Sequence, residues 1–378
     1  MRLIVLILAV LASAACSGAS ETAAAPAPLC RVAVAAKAER RAVATVRPLA
    51  RRLWKALRAP GMSLAVAVDG RIVFSTACGW ADRERRLPAR ATTRFRIGSV
   101  SKPITAAALA TLVEAGRIDL AAPIQRYVPE FPEKASPMTV SQVAAHLAGL
   151  RANDDDEIVS RRHFDTVAEE VAVFAGDPLL FPPGTRYSYS NWGYVLLGRA
   201  IETASGEPFE VYVRSAVLAP LGMSHTQLDD AGAPVAQRAG LYEVTSDGRA
   251  VAAPRHDVSL RWPSGGFVST AEDLVRLGLG FTTRDLVAPE TRAQFLAEQR
   301  TSGGQPTGYA LGWEVHDTPY GKGYGHTGNA VGGTALLLSI PARGAVLALA
   351  TNIGYVTASA PPAIRGPDPH ELLVPFLR

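Results

Sequence analysis

The sequence predicts a mixed α/β fold of the α+β type: an antiparallel sheet built from both chain ends, flanked by helices, with a mainly helical lobe inserted between them. Three observations predict it. Met62 to Val68 and Arg71 to Ser75 are apolar runs joined by Asp69-Gly70, a strong hairpin signal. Thr334 to Ser339 and Ala345 to Thr351 read as two further strands around Pro341-Ala342-Arg343-Gly344. The long middle of the chain is dominated by helical patterns.

The chain begins with Arg2 and an apolar run from Leu3 to Leu11, followed by the small residues Ala12 to Cys16. The run is too short to span a bilayer and fits a secretory signal peptide over 1–16. A polar, Ala- and Pro-rich tether is expected over 17–44, and the catalytic domain over 45–378. Val43 to Leu57 reads as an amphipathic helix stopped by Pro60-Gly61. Pro103 to Ala115 is an Ala- and Leu-rich helix ending at Gly116, apolar almost all round and so expected to be buried. Pro123 to Pro137 is irregular, Val140 to Leu147 a short helix, and Asp154 to Glu157 a solvated loop. Trp192 to Ala204 is an apolar helix ending before Gly206, and Glu272 to Leu279 is helical as well. No internal repeat is present.

Composition narrows the function classes. Hydrophobic residues make up 48% and charged residues 19% of 378, which fits a globular chain with a large core and excludes a disordered one. The net charge of +5 comes from scattered residues, 34 of them arginine and five lysine. There is no basic stripe for a phosphate backbone, so nucleic acid is not an expected partner. No Gly-x-Ser-x-Gly elbow and no Gly-x-Gly-x-x-Gly after a strand occurs, against an α/β-hydrolase and a dinucleotide fold. Three cysteines without a nearby histidine, and His225 and His256 without partners at ligand spacing, give no reason to expect a metal or cofactor. Cys30 and Cys78 are either one disulfide or two thiols.

Three short elements carry chemistry. Ser99-Val100-Ser101-Lys102 precedes Pro103, and proline is tolerated in the first turn of a helix. Residues three apart share a helix face, so Ser99 and Lys102 can touch. A serine hydroxyl needs a base to become a nucleophile, and a desolvated lysine has its pKa lowered towards that task. A helix N-terminus also offers N–H groups to an oxyanion. Tyr189-Ser190-Asn191 lies in a loop before a helix, where a tyrosine near lysine can shuttle a proton and an asparagine can orient both lysine and substrate. His326-Thr327-Gly328 sits in a glycine-rich run beside an apolar strand, which suggests close approach of a ligand or another backbone. Singly, each reads as a solvated pair, a packed aromatic loop or a weak signal. Each occurs once, however, and they occur in this order.

The ordered set resembles the serine β-lactamase and penicillin-binding-protein superfamily, with its Ser-x-x-Lys, Tyr-x-Asn and Lys/His-Thr-Gly elements. The resemblance covers roughly residues 45–356 and is nearest to class C β-lactamase-like serine hydrolases, on the branch that holds the mitochondrial serine β-lactamase-like proteins and their bacterial relatives. Gln125 to Lys134, Asp177 to Phe181 and Gly265-Gly266-Phe267-Val268-Ser269-Thr270 add to it. It implies a β-lactamase/transpeptidase-like fold in which Ser99 is acylated, Lys102 helps deprotonate it, and Tyr189 relays the proton to the leaving group and later helps activate water. Asn191, His326, Thr327 and Gly328 would hold substrate, and the N–H groups of Ser99 and Asn329 would form the oxyanion hole. His146 would be structural. His326 stands where many β-lactamases carry lysine, which weakens recognition of a β-lactam carboxylate.

Cys16, directly after Ser13-Ala14-Ala15, resembles a bacterial lipoprotein cleavage site, although Ser13 replaces the usual leucine; ordinary cleavage after a small residue is the alternative. The expectation is therefore a secreted, periplasmic serine hydrolase tethered to the membrane through Cys16, forming an acyl-enzyme on an amide or ester of a small or peptide-like substrate. A true β-lactamase, a D,D-peptidase, and a non-catalytic or filament-forming scaffold are the alternatives, and a homo-oligomer is left open.

Overall fold

The two chain ends meet in one sheet. The computed structural model describes residues 29–354 and 369–377, apart from 231, 234, 246–247 and 284–285. The expected signal peptide and Cys16 lie outside the described residues. Seven strands form the main path: β1 (Arg31–Ala35), β2 (Gly61–Val68), β3 (Arg71–Asp82), β4 (Glu314–Thr318), β5 (Gly321–Ala330), β6 (Gly333–Ile340) and β7 (Ala345–Thr351). Their spatial order is β1-β3-β2-β7-β6-β5-β4, antiparallel at every step. Leu64 lies opposite Leu349 in the β2–β7 pair, so the seam between the chain ends runs through the middle of the sheet. Asp69 and Gly70 both have positive φ, 48° and 79°, the requirement of a two-residue hairpin turn whose twist matches its strands.

Helices cover both faces. On one side α1 (Arg40–Leu57) lays Val43, Val46, Ala50 and Leu53 onto Leu64, Val66, Phe74 and Leu347. On the other, α2 (Ser101–Glu114) is buried along nearly its whole length, and its apolar character all round leaves no face for water. The inserted lobe holds α3 (Val140–Ala144), α4 (Asp155–Ile158), α5 (Val167–Phe174) and α6 (Asn191–Ser205), the last closed by Gly206 in a left-handed cap. The chain returns through α7 (Ala271–Thr282), capped by Thr270 Oγ1 accepting from the Asp273 N–H at 3.1 Å. A Cβ at Gly278 would stand 2.6 Å from Val346 Cγ1, so glycine lets α7 sit close on β7.

Three expectations need correction. Residues from 29 onward are not tether: β1 pairs with β3, and Cys30 is disulfide-bonded to Cys78. The alternation Arg31-Val32-Ala33-Val34-Ala35 is a half-buried edge strand whose alanines hide its period. Asp154 to Glu157 is not a freely solvated loop either. It starts the short α4, and Glu157 takes both terminal nitrogens of Arg151 at 2.8 Å. Finally, 321–330 is itself a strand, since its glycines are where neighbouring backbone comes closest.

Candidate active site

A tight turn over Gly98–Val100 leads into α2 and presents Ser99 at its mouth, partly open to solvent. Gly98 has φ of +51°, and a Cβ there would lie 2.7 Å from the Asn329 backbone nitrogen. A Cβ at Gly328 would lie 2.0 Å from the Ile97 carbonyl oxygen. Only glycine at both places lets β5 run flush against the turn that carries Ser99.

Lys102 is the second residue of α2, one turn after Ser99, and is fully buried. Its Nζ donates to Asn191 Oδ1 at 2.7 Å and to the Ser264 carbonyl at 2.9 Å, and lies 3.3 Å from Ser99 Oγ. It lies 4.7 Å from the ring centre of Tyr189 and 5.4 Å from that of Tyr194. No carboxylate among the described residues forms an ion pair with it. Burial, and to a lesser degree the Arg261 guanidinium, hold its pKa well below the ordinary lysine range.

Tyr189 stands over Lys102 at the end of the 181–190 loop. Burial pushes its pKa up, while the neighbouring Ser99 hydroxyl works the other way. The phenol therefore keeps its proton at neutral pH. Asn191 opens α6, and its Nδ2 donates to Asn153 Oδ1 at 2.7 Å. Asn153 Nδ2 in turn donates to Glu157 Oε2 at 3.5 Å, which ties the site to the Arg151–Glu157 pair through a residue that belongs to no motif.

His146 does more than fill space. It takes a left-handed φ of 60° just past α3, and its ring lies 4.3 Å from that of Tyr189. Its Nδ1 accepts the Ser190 N–H at 3.2 Å, which fixes the loop bearing Tyr189. Since a backbone N–H can only donate, the ring proton is on Nε2.

His326 is buried on β5. Its Nδ1 donates to the Thr327 carbonyl at 2.6 Å, and its Nε2 accepts from the Tyr309 hydroxyl at 2.9 Å. Burial pulls its pKa down to about 4 against the opposing pull of Glu314, whose Oε1 lies 3.4 Å from Nδ1. Glu314 is held down to about 2, with His316, His326 and Thr327 offsetting its burial. Thr327 donates to it from Oγ1 at 3.0 Å and from its backbone N–H at 3.3 Å. The pairing of β4 with β5 ends at Gly325. Alternate N–H groups point the same way along a strand, so the Asn329 N–H shares the edge of Thr327 and faces the Ser99 turn.

The structure thus brings Ser99, Lys102, Tyr189, Asn191 and residues 326–329 around one cleft, and places Cys30 and Cys78 away from it, just before β1 and on β3. Sequence reasoning missed Ser264, Tyr309, Glu314, Asn153 and Arg261. Of these, only Ser264 and Arg261 adjoin a stretch that carried the resemblance, the Gly265-Gly266 run.

The β-lactamase family model matches residues 46–366. The human mitochondrial serine beta-lactamase-like protein LACTB is 29% identical over 396 residues, covering 80% of this chain and 72% of that protein. Penicillin-binding protein 4 of Amycolatopsis lactamdurans is 31% identical over 319 residues, covering 79% and 82%. Among solved structures, the octameric penicillin-binding protein homologue from Pyrococcus abyssi superposes with a TM-score of 0.71 at 26% identity, over 85% of this chain and 75% of that one. With its ordered serine, tyrosine and histidine elements around one cleft and the family model matching most of its length, the chain belongs to the β-lactamase family, within the serine β-lactamase and penicillin-binding-protein-like superfamily.

Proposed function

We propose that the protein is a serine hydrolase that forms an acyl-enzyme at Ser99 on an amide or ester, with peptidase- or esterase-like substrates in preference to β-lactams. The observation that carries this is the buried Lys102 amine, 3.3 Å from Ser99 Oγ and without an ion-paired carboxylate among the described residues. An uncharged amine there is a base for the serine proton. As Ser99 Oγ bonds to the carbonyl carbon, its proton passes to Lys102 Nζ. The oxyanion is met by the N–H groups of Ser99 and Asn329. As the bond to the leaving group breaks, Tyr189 gives that group its hydroxyl proton and recovers one from Lys102, so no net charge is left behind. In deacylation the same pair takes a proton from the attacking water and returns it to Ser99 Oγ as the acyl–serine bond breaks. Asn191 holds Lys102 in line through its Oδ1.

The neutral His326 and the carboxylate of Glu314 beside it argue against recognition of a β-lactam carboxylate at that position. Export and a lipid tether at Cys16 belong to the same proposal and rest on the make-up of residues 3–16. So does self-association, for which the octamer named for the archaeal homologue is the support.

Intact-mass detection of an acyl-enzyme tests the reading, using a panel of p-nitrophenyl esters, peptides and β-lactams with a fluorophosphonate as control. Labelling of the parent at Ser99 and none in Ser99→Ala is expected. Equal labelling of both proteins, or none of the folded parent, would overturn it.

A further inference from the structure

Three guanidiniums stand close together behind the Ser99 turn, and one carboxylate serves them. Arg96, almost wholly buried, bonds Asp229 through Nε at 2.5 Å, and the Arg238 Nε lies 3.2 Å from the other oxygen of the same carboxylate. The Arg261 side chain has a single hydrogen bond among the described residues, from Nη2 to the Ile158 carbonyl at 3.1 Å, and no ion pair there. The nearby Asp257 is taken by His163, whose Nδ1 lies at 2.8 Å, and by the Ser259 N–H, also at 2.8 Å. His256 adds no negative charge. It accepts from Arg96 Nη1 at 2.7 Å and stays neutral, its pKa pulled down to about 3 first by burial and then by Arg96. Three guanidiniums against the one carboxylate that pairs with them leave this cluster with an excess of positive charge.

A cleft of about 750 Å³ opens onto it. Its wall includes Arg85, Arg161, Arg238, Arg255, His256 and Asp257. The side chains of Arg85, Arg161 and Arg255 are exposed and have no ion-pair partner among the described residues. Asp82, also on the wall, already accepts the Arg85 N–H at 2.7 Å.

The guanidinium cluster behind the cleft is linked to the Ser99 turn by short steps. Arg96 lies three residues before Ser99 and donates to the Val331 carbonyl at 3.2 Å, two residues beyond Asn329. The loop carrying Ile158 and Ser160 links Arg261 to Asp257, whose N–H donates to the Ser160 carbonyl at 3.0 Å, and Arg161 follows at once. One turn after Arg261, a Cβ at Gly265 would stand 3.8 Å from the Gly98 carbonyl carbon.

We propose that this arginine-walled cleft binds an anionic oxygen group, and that the group is a carboxylate or phosphate borne by the acyl part of the substrate, remote from the bond that is cut. The substrate part of the inference rests on the acyl-enzyme reading of Ser99; the anion site does not. Guanidiniums suit such groups because their paired N–H donors match two oxygens at once.

The test compares p-nitrophenyl butyrate with p-nitrophenyl monoesters of dicarboxylic acids from succinate to suberate. The parent should favour at least one dicarboxylic ester by tenfold or more in kcat/KM, and 0.5 M NaCl should shrink that preference. In Arg161→Glu/Arg255→Glu the preference should fall at least tenfold, while Arg117→Glu, on the far surface, leaves it unchanged. Equal kcat/KM for neutral and acidic esters of every length overturns the substrate assignment, as does a double variant that keeps the preference. Calorimetry of Ser99→Ala with glutarate and with inorganic phosphate decides the site itself, even if no ester is turned over. Binding that the double charge reversal abolishes sustains it, and an absence of binding by either anion overturns it. Binding without any ester preference leaves a site for a free anion and sinks the substrate tail.

Discussion

Tyr309 donates its hydroxyl proton to Nε2 of His326 at 2.9 Å. The other ring nitrogen is committed to the Thr327 carbonyl at 2.6 Å, so the imidazole is the neutral Nδ1–H tautomer. Burial holds it there at physiological pH, with its pKa near 4. The third sequence element therefore offers an arriving carboxylate no cation, and Glu314 stands behind it with a full negative charge. His326→Lys places a cation where Glu314 can serve as counter-ion. Acylation by benzylpenicillin should rise at least tenfold relative to a neutral ester, equivalent to about 1.4 kcal/mol of transition-state binding. The ratio of the two acylation rates, by intact mass over time, is the measurement. An unchanged ratio would mean that charge at this position does not set substrate choice.

Lys102 works as a base only while uncharged. Its folded pKa is displaced well below the ordinary value, mainly by burial. Acylation should therefore fall on the acid side, as pH drops through that displaced pKa and the amine takes a proton. It should show no requirement for pH near 10. Lys102→Arg keeps hydrogen-bond donors in the same place but removes the base, since guanidinium holds its proton throughout. A loss of roughly two to four orders of magnitude in the acylation rate is expected across the whole pH range. A variant with a normal rate and a normal acid limb would assign the proton to another group.

The Ser99–Lys102 contact was legible because it is local: a three-residue spacing on a helix start fixes it. The β2–β3 pair was legible for the same reason, since the Asp69-Gly70 turn fixes it. Long-range partners were not. Ser264 meets Lys102 through a backbone carbonyl, which no side-chain pattern announces. Tyr309 and Glu314 reach His326 from an irregular segment and from β4, and neither has a motif. His146 read as structural because its role is relayed, through Ser190 and the face of Tyr189. The burial that keeps Tyr189 protonated is a tertiary property and no motif carries it.

β1 was missed as well, and the Cys30–Cys78 disulfide that anchors it was left open against two free thiols. The disulfide spans 48 residues and holds the edge strand onto β3. Closing a loop of that length removes about 4 kcal/mol of unfolded-state entropy on the chain-entropy account. Cys30→Ser should lower unfolding free energy by about 2–4 kcal/mol. A reducing agent should do the same to the parent and nothing further to the variant. The site lies on other strands and on α2, so kcat/KM should hold while the protein stays folded. Urea melts of both proteins with and without dithiothreitol give the comparison. Identical midpoints in all four would show that the bridge adds no stability.

Acid should unfold this protein through histidines the chemistry does not require to be charged. His256 and His326 are buried and held neutral, with pKa values near 3 and 4. His146 is shifted the same way by burial and by Lys102. An unfolded chain takes up these protons near pH 6.5, well before the folded state does. Between those values the unfolded state binds more protons, so stability rises with pH there. The stabilising effect of neutral burial is complete above about pH 6.5 and is lost as pH falls towards 4. Glu314, with a folded pKa near 2, adds in the same direction at still lower pH. At pH 4 the two numbered imidazoles alone remove on the order of 5 kcal/mol. That is comparable with the whole stability of many domains, about 5–15 kcal/mol. Urea midpoints should therefore drop steeply from pH 7 to pH 4.5. His256→Gln and His326→Gln should each flatten that slope, even if both are less stable than the parent at pH 7. Slopes that stay as steep as the parent's would place the acid sensitivity in other groups.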